Sequence, residues 1–154
     1  MSVAVTKALT ATPELLAGLN YLLPQLSSNA TPLTMSDVEA MVHSDAATLF
    51  VATEGGDVVG TLTLVIFSIP TGVRAWIEDV VVDENARGLG IGEALTSAAV
   101  DEARGRGVHT IDLTSRPSRE VANALYQKLG FERRETNVYR FFIEPGEGWT
   151  GSKE

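Results

Sequence analysis

Between Ile77 and Leu95 the chain passes from strand-forming residues holding two carboxylates, Glu78 and Asp79, into Arg87-Gly88-Leu89-Gly90-Ile91-Gly92 and then a helical pattern. A strand, a short turn, an arginine and three alternating glycines opening a helix make an anion cradle. The first turn of a helix leaves backbone N–H groups without partners, and the helix dipole adds positive potential there. Glycines at 88, 90 and 92 remove the Cβ atoms that would keep a pyrophosphate from those donors. A P-loop would need Gly-Lys-Ser/Thr to end the loop, and none is present. The dinucleotide fingerprint has more in its favour, because Asp112 lies about twenty residues on, in the next strand. Yet Glu93 stands where that pattern wants its third small residue, and Asp112 falls inside its strand rather than at its end.

The elements that must hold this cradle can be read outward from it. Val3–Ala8 forms a short first strand. Thr12 caps a helix with Pro13 at its first position and Glu14 in the first turn, running to about Leu23. Ser36-Asp37-Val38-Glu39 has capping-box spacing and opens a second helix through about His43. Leu49–Thr53 and Val58–Ser68 are β-rich and flank the hairpin turn Glu54-Gly55-Gly56-Asp57. Val73–Val82 is the next long strand. Ile91, Leu95, Ala98 and Ala99 then mark one face of a helix ending near Gly105 or Gly107. Val108–Thr114 is a strand, Ser118–Leu129 a helix stopped by Gly130 with Phe131 folding back, and Val138–Ile143 a last strand closing the sheet. This order predicts an α/β (α+β) chain with one mixed central sheet and a crossover between the strands at Val73–Val82 and Val108–Thr114. One domain spans 1–143, and 144–154 is a loosely ordered tail.

Composition narrows the function classes. The chain has 154 residues, no cysteine and a net charge of −8. Without cysteine there is no disulfide, no thiolate zinc site and no cysteine nucleophile, so any group transfer would be direct or use another nucleophile. The acidic balance makes nucleic acid a poor partner and tolerates a cationic substrate. Leu62–Ile69, the most apolar stretch, is far short of the ~20 residues of a membrane span. These features predict a cytoplasmic protein with no membrane association, and leave a homodimer open. His43 and His109 lack neighbours at ligand spacing, so no metal site is expected.

Arg87-Gly88-Leu89-Gly90-Ile91-Gly92 resembles the Gln/Arg-x-x-Gly-x-Gly/Ala signature of the Gcn5-related N-acetyltransferase (GNAT) superfamily. Asn123-Ala124-Leu125-Tyr126-Gln127-Lys128-Leu129-Gly130-Phe131 resembles that family's second block, in the family's order and at its usual separation. The resemblance implies a sheet splayed between its fourth and fifth strands, with acetyl-CoA in the cleft. It implies that the pantetheine arm pairs with the backbone of Val80, Val81 and Val82, and that the pyrophosphate rests on Arg87, Gly88, Leu89, Gly90, Ile91 and Gly92. Asn123 would contact the cofactor, and Tyr126 would protonate the departing thiolate. Being three apart, these two share one face of their helix, read as lying opposite Leu125 and Leu129.

Direct transfer also needs a deprotonated amine, and Glu78 and Asp79 are the candidates for base or ammonium anchor. A carboxylate in a half-buried strand beside three valines is costly unless used. Alternation places Glu78 with Trp76 and Val80, and Asp79 with Ile77 and Val81; Glu78 is the preferred base, with Asp79 beside the acceptor. Tyr139 and Arg140 on the last strand would edge the acceptor pocket. Arg116 and Arg119, at the head of the Asn123 helix, could meet a cofactor phosphate or simply start the helix. The hexapeptide Ile77–Val82 further resembles glucosamine-6-phosphate N-acetyltransferases, although Ala124-Leu125-Tyr126 departs from the Phe-Tyr pair usual there. Two functions follow: an N-acetyltransferase for a small amine or amino-acid-like acceptor, or an acetyl-CoA-binding sensor without turnover. The presence of both Glu78 and Tyr126 favours the enzyme.

Overall fold

The computed structural model describes residues 2–143, so the expected tail at 144–154 lies outside the described residues. These residues form two compact units, one ending at Thr114 and one beginning at Ser115. In the first, strands β1 (Val3–Lys7), β2 (Ala47–Glu54), β3 (Asp57–Ile69), β4 (Gly72–Val82) and β5 (Thr110–Asp112) lie side by side in chain order. The first four run antiparallel, and β5 joins β4 in parallel, as the crossover predicted. Helices α1 (Pro13–Leu26), α2 (Met35–Val42) and α3 (Ile91–Gly105) complete this unit.

Register shows which face each helix covers, because residues paired across a ladder share a face. Leu49 and Val51 of β2 pack with Leu15 and Leu19 of α1 and Val38 of α2. Ala52, on the opposite face, pairs with Gly60, where an added Cβ would stand 3.0 Å from Ile91 Cγ2 and 3.1 Å from Leu95 Cδ1. The sheet is therefore sandwiched, with α1 and α2 on one side and α3 on the other. Along α3, Ile91, Leu95 and Ala99 are buried, as the spacing predicts, whereas Ala98 is half-buried; Ala103 and Thr96 are buried too, the Thr96 hydroxyl donating to the Gly92 carbonyl at 2.7 Å.

Several elements differ from the sequence reading. Strand β5 covers only Thr110–Asp112 of the expected Val108–Thr114. Helix α1 continues through Pro24 to Leu26, because Gln25 in the last turn finds tertiary partners at Asp83 and Glu84. Helix α2 starts two residues earlier than Ser36 suggested: Thr34 is the N-cap and Asp37 closes the capping box. Asp37 accepts from the Thr34 backbone N–H at 2.8 Å and from its hydroxyl at 2.9 Å. Those two bonds, the backbone one first, hold the Asp37 carboxyl below the ordinary aspartate range. The expected strand at Val138–Ile143 does not form among the described residues. Val138, Tyr139, Phe141 and Ile143 are 70–89% exposed there, so the β-prone composition meets no partner that would make a strand pay.

The cap gives a test. Thr34→Ala should lower unfolding stability by about 1 kcal/mol in urea titration, whereas Ser36→Ala should change it little. With its pKa lowered, Asp37 stabilises the fold above the ordinary aspartate pKa. That contribution fades as pH falls through the lowered value, so the gap between the two variants should narrow in acid without closing, because the bond from Asp37 N–H to Thr34 Oγ1 does not titrate.

Candidate active site

The pairing of β4 decides where a ligand can enter. On one edge β4 is laddered to β3 over nearly its whole length. On the other, β5 pairs only with Arg74, Ala75 and Trp76. Ile77 to Val82 therefore present a strand edge that no described strand covers, as expected for a sheet splayed between its fourth and fifth strands. Backbone N–H and C=O groups on such an edge need partners from outside the sheet.

Within this open stretch β4 is bulged. Glu78 pairs with Thr63 and Val81 with Thr61, so Asp79 and Val80 together oppose Leu62. Asp79 takes a left-handed conformation, φ 49°, and among described residues it alone outside glycine does so. Aspartate tolerates this region better than most residues, at a cost of roughly 1 kcal/mol. The bulge corrects the face assignments made from simple alternation. Glu78 shares its face with Trp76, as expected, but Val81 and not Val80 takes up that face beyond the bulge. Ile77 and Val81, expected on one face with Asp79, lie on opposite faces, since their partners Leu64 and Thr61 do. Nothing in a single sequence marks the bulge, because it inserts one residue without changing the apolar run.

Glu78 thus stands on the face covered by α1 and α2. Both Glu78 and Asp79 are exposed, against the half-buried setting expected from their valine neighbours. The Trp76 indole Nε1–H donates to Glu78 Oε1 at 2.7 Å and orients the carboxylate. Val81 is buried and Val80 and Val82 half-buried, so their side chains anchor the strand while the backbone edge remains available.

Past Val82 the chain turns through a short 3₁₀ segment, Glu84–Ala86, and reaches α3 by Arg87–Gly90. Gly88 and Gly90 have φ of 82° and 76°, and a Cβ on either would meet no heavy atom within 4 Å. Their lack of side chains therefore serves the backbone turn and leaves the head of α3 open. No side chain caps that helix, so its first N–H groups face outward from Gly90 onward. Arg87 and Leu89 are exposed beside them. A cavity of about 430 Å³ bounded by Val3, Glu54, Leu89, Gly90, Ile91 and Ala94 adjoins the same helix end. A strand edge running into an uncapped helix end suits a ligand with an amide-bearing arm followed by a diphosphate, which is the chemistry of an acyl-CoA. The sequence reading missed Asp83, whose contacts with α1 join residues 58 and 62 positions apart and leave no local signal.

In the second unit, helix α4 (Glu120–Lys128) ends in the predicted Gly130 stop. Phe131 N–H donates to the Tyr126 carbonyl at 2.9 Å and Gly130 N–H to the Gln127 carbonyl at 3.1 Å. The Phe131 ring meets that of Tyr126 edge-on, centroids 5.8 Å apart. Burial raises the Tyr126 hydroxyl above the ordinary tyrosine range, with Arg119 pulling the other way. Asn123 Nδ2 donates to the Arg116 carbonyl at 2.9 Å, which ties down the segment before the helix. Asn123, Leu125, Tyr126 and Leu129 are all half-buried, whereas Val121, Ala124, Gln127 and Lys128 are exposed. Tyr126 and Asn123 hence lie on the same side as the leucines, not opposite them. Tyr139, expected on a sheet strand, is 89% exposed in the stretch without one.

Comparison with known proteins bears on this arrangement. The profile of the Acetyltransferase (GNAT) family matches residues 16–131, across both units. Glucosamine 6-phosphate N-acetyltransferase 1 of Oryza sativa subsp. japonica is 33% identical over 107 residues, 70% of this chain and 61% of that protein. A mycothiol acetyltransferase of Paenarthrobacter aurescens (strain TC1) is 46% identical over 57 residues, 37% of this chain and 18% of that one. The chain thus spans less than two thirds of either relative. Among solved structures, an acetyltransferase of Trypanosoma brucei superposes with a TM-score of 0.76 at 26% identity. The transcriptional regulator from Bacillus halodurans C-125 does so with 0.78 at 29%, and each match covers 92% of this chain and 100% of the other. With the splayed sheet and the glycine-lined helix end, the profile match over most of the chain shows that it belongs to the acetyltransferase (GNAT) family.

Proposed function

We propose that this protein is a cytoplasmic N-acetyltransferase, its domain spanning 1–143, that moves the acetyl group of acetyl-CoA directly to a primary amine of a small acceptor. The observation that carries this reading is the uncovered edge of β4 from Ile77 to Val82, leading into two open glycines at the head of α3. Val80, Val81 and Val82 would pair through their backbone with the pantetheine amides. Arg87, Gly88, Leu89, Gly90, Ile91 and Gly92 would hold the pyrophosphate, the arginine by charge and the rest by backbone N–H groups. Bound acetyl-CoA supplies an activated thioester. Glu78, oriented by Trp76, would accept the proton of the acceptor amine, with Asp79 and Tyr139 bordering the acceptor. Tyr126 would give its hydroxyl proton to the departing sulfur, and Asn123 would contact the cofactor through its carbonyl oxygen, since its amide nitrogen serves Arg116. The names of the relatives support amine acceptors, glucosamine 6-phosphate among them.

A second reading, an acetyl-CoA sensor without turnover, draws on the likeness to the Bacillus halodurans transcriptional regulator. Incubation with acetyl-CoA and a panel of amines, followed by free-thiol release, separates the two: turnover supports the enzyme, and binding without thiol release supports the sensor.

Substitution at Gly90 tests the cradle. Valine there would be strained at φ 76° whatever the ligand, so asparagine, which tolerates that backbone, is the better probe. Gly90→Asn should remain folded yet lose CoA affinity by calorimetry, and should no longer gain melting temperature from added CoA. Unchanged affinity would move the pyrophosphate elsewhere.

For the base, Glu78→Gln should lower turnover by about 100-fold with acetyl-CoA binding nearly intact, while Asp79→Asn stays active. The reverse pattern would assign the base to Asp79.

For the acid, Tyr126→Phe keeps the ring contact with Phe131 and removes only the proton. It should lower kcat by roughly 10- to 1,000-fold and leave the KM for acetyl-CoA little changed. A proton donor must be protonated, and a raised pKa widens that range upward. Activity should therefore show no loss attributable to Tyr126 ionisation until pH exceeds about 10. An undiminished kcat with chemistry rate-limiting would reduce Tyr126 to packing.

A further inference from the structure

The turn that carries the chain from β4 to the cradle is pinned from a helix distant in sequence. Asp83 is the pin. Its backbone N–H donates to the Val59 carbonyl and its own carbonyl accepts from Ala86 N–H, both at 2.8 Å. Its Oδ1 accepts from the Tyr21 hydroxyl at 3.2 Å and Gln25 Nε2 at 3.3 Å, and from Asn85 N–H at 3.3 Å. Gln25 uses its other end as well: Oε1 accepts from Glu84 N–H at 2.9 Å. Tyr21 and Gln25 are four residues apart on α1 and so reach the turn from one side of the helix. One amide side chain thereby grips two consecutive residues of the segment that aims Arg87–Gly92.

We propose that Gln25, assisted by Tyr21, is a positioning residue for the cofactor: it fixes the β4–α3 turn so that the head of α3 presents its donors in register with the strand edge. The inference rests on the acetyl-CoA reading of the cradle. Gln25 does not belong to the buried face of α1, which is Leu15, Leu19 and Leu22, so its loss leaves the packing of that helix in place. The turn would also keep its bonds to Val59 and within Asp83–Ala86. What disappears is the lateral hold. The Asp83 carboxylate, released from one of its three donors and no longer held beside a fixed Glu84 N–H, could then swing toward the anionic ligand that the cradle must accept.

Calorimetry with CoA and steady-state kinetics on the full chain test this. Gln25→Ala should weaken CoA about tenfold, a change of about 1.4 kcal/mol, and raise the KM for acetyl-CoA in parallel, with kcat within about twofold. Gln25→Glu keeps the acceptor for Glu84 N–H but sets two carboxylates together, and should bind CoA no better than Gln25→Ala. Tyr21→Phe should cost about twofold. Combined with Asp83→Ala, Gln25→Ala should add little, because both act through one ring of bonds. Unchanged CoA affinity in Gln25→Ala, with or without a lower melting temperature, would make the brace part of the fold alone and overturn the inference; fully additive effects would do the same. Failure of the wild type to bind CoA would instead overturn the acetyl-CoA reading, and this inference with it.

Discussion

The structure depends on β4 being satisfied along one edge and abandoned along the other. Through Trp76 it is an ordinary inner strand, and beyond Trp76 no described strand pairs with its second edge. Proteins usually blunt such edges with charges, bulges or a covering element. Here the edge carries a bulge and two carboxylates, yet it is bordered by apolar valines and ends at an uncapped helix. The cost of leaving backbone groups without a ladder is offset if a strand-like ligand supplies the missing partner. That is why the family membership and the sheet geometry point to the same cosubstrate.

Much of this was legible in the sequence because it rests on local rules. The hairpin at Gly55-Gly56, the Thr12 cap with Pro13, the glycine-opened helix and the Gly130 stop each depend on residues within a turn of one another. Physical chemistry assigns them without knowledge of the fold. The splay was legible only through the resemblance of the two motif blocks to a known family, since no residue in β4 or β5 announces where their pairing ends. The Thr34 cap was missed in favour of Ser36, whose spacing to Glu39 offered an equally good pattern; in the structure the reciprocal bonds form between Thr34 and Asp37.

What escaped the sequence are features in which distant residues overrule a local signal. The sequence reading ends α1 near Leu23, yet the helix runs through Pro24 to Leu26, where Gln25 is bonded to the β4–α3 turn. Alternation along β4 reads cleanly, yet one bulged residue reverses it and brings Glu78 and Val81 to one face. Val138–Ile143 has strand composition, but composition alone does not provide a neighbour. In each case the deciding partner lies on another element or is missing among the described residues, so the local pattern does not contain the answer.

A division of labour follows from the kinds of atoms involved. The proposed cofactor contacts use backbone groups and the absence of side chains, and these survive extensive substitution so long as the strand, bulge and glycines remain. The proposed acceptor and proton-transfer roles use specific side chains, Glu78 and Tyr126, set in environments that differ in solvent access. Glu78 is open to water on the α1 and α2 face and would meet acceptors of varied shape. Tyr126 is half-buried and its raised pKa keeps its proton in place through the neutral range. A fold that held its cosubstrate through the main chain, as proposed, would be free to change its acceptor by changing side chains. A superposition at TM-score 0.76 with identity of 26% shows how far side chains can diverge while the backbone is kept.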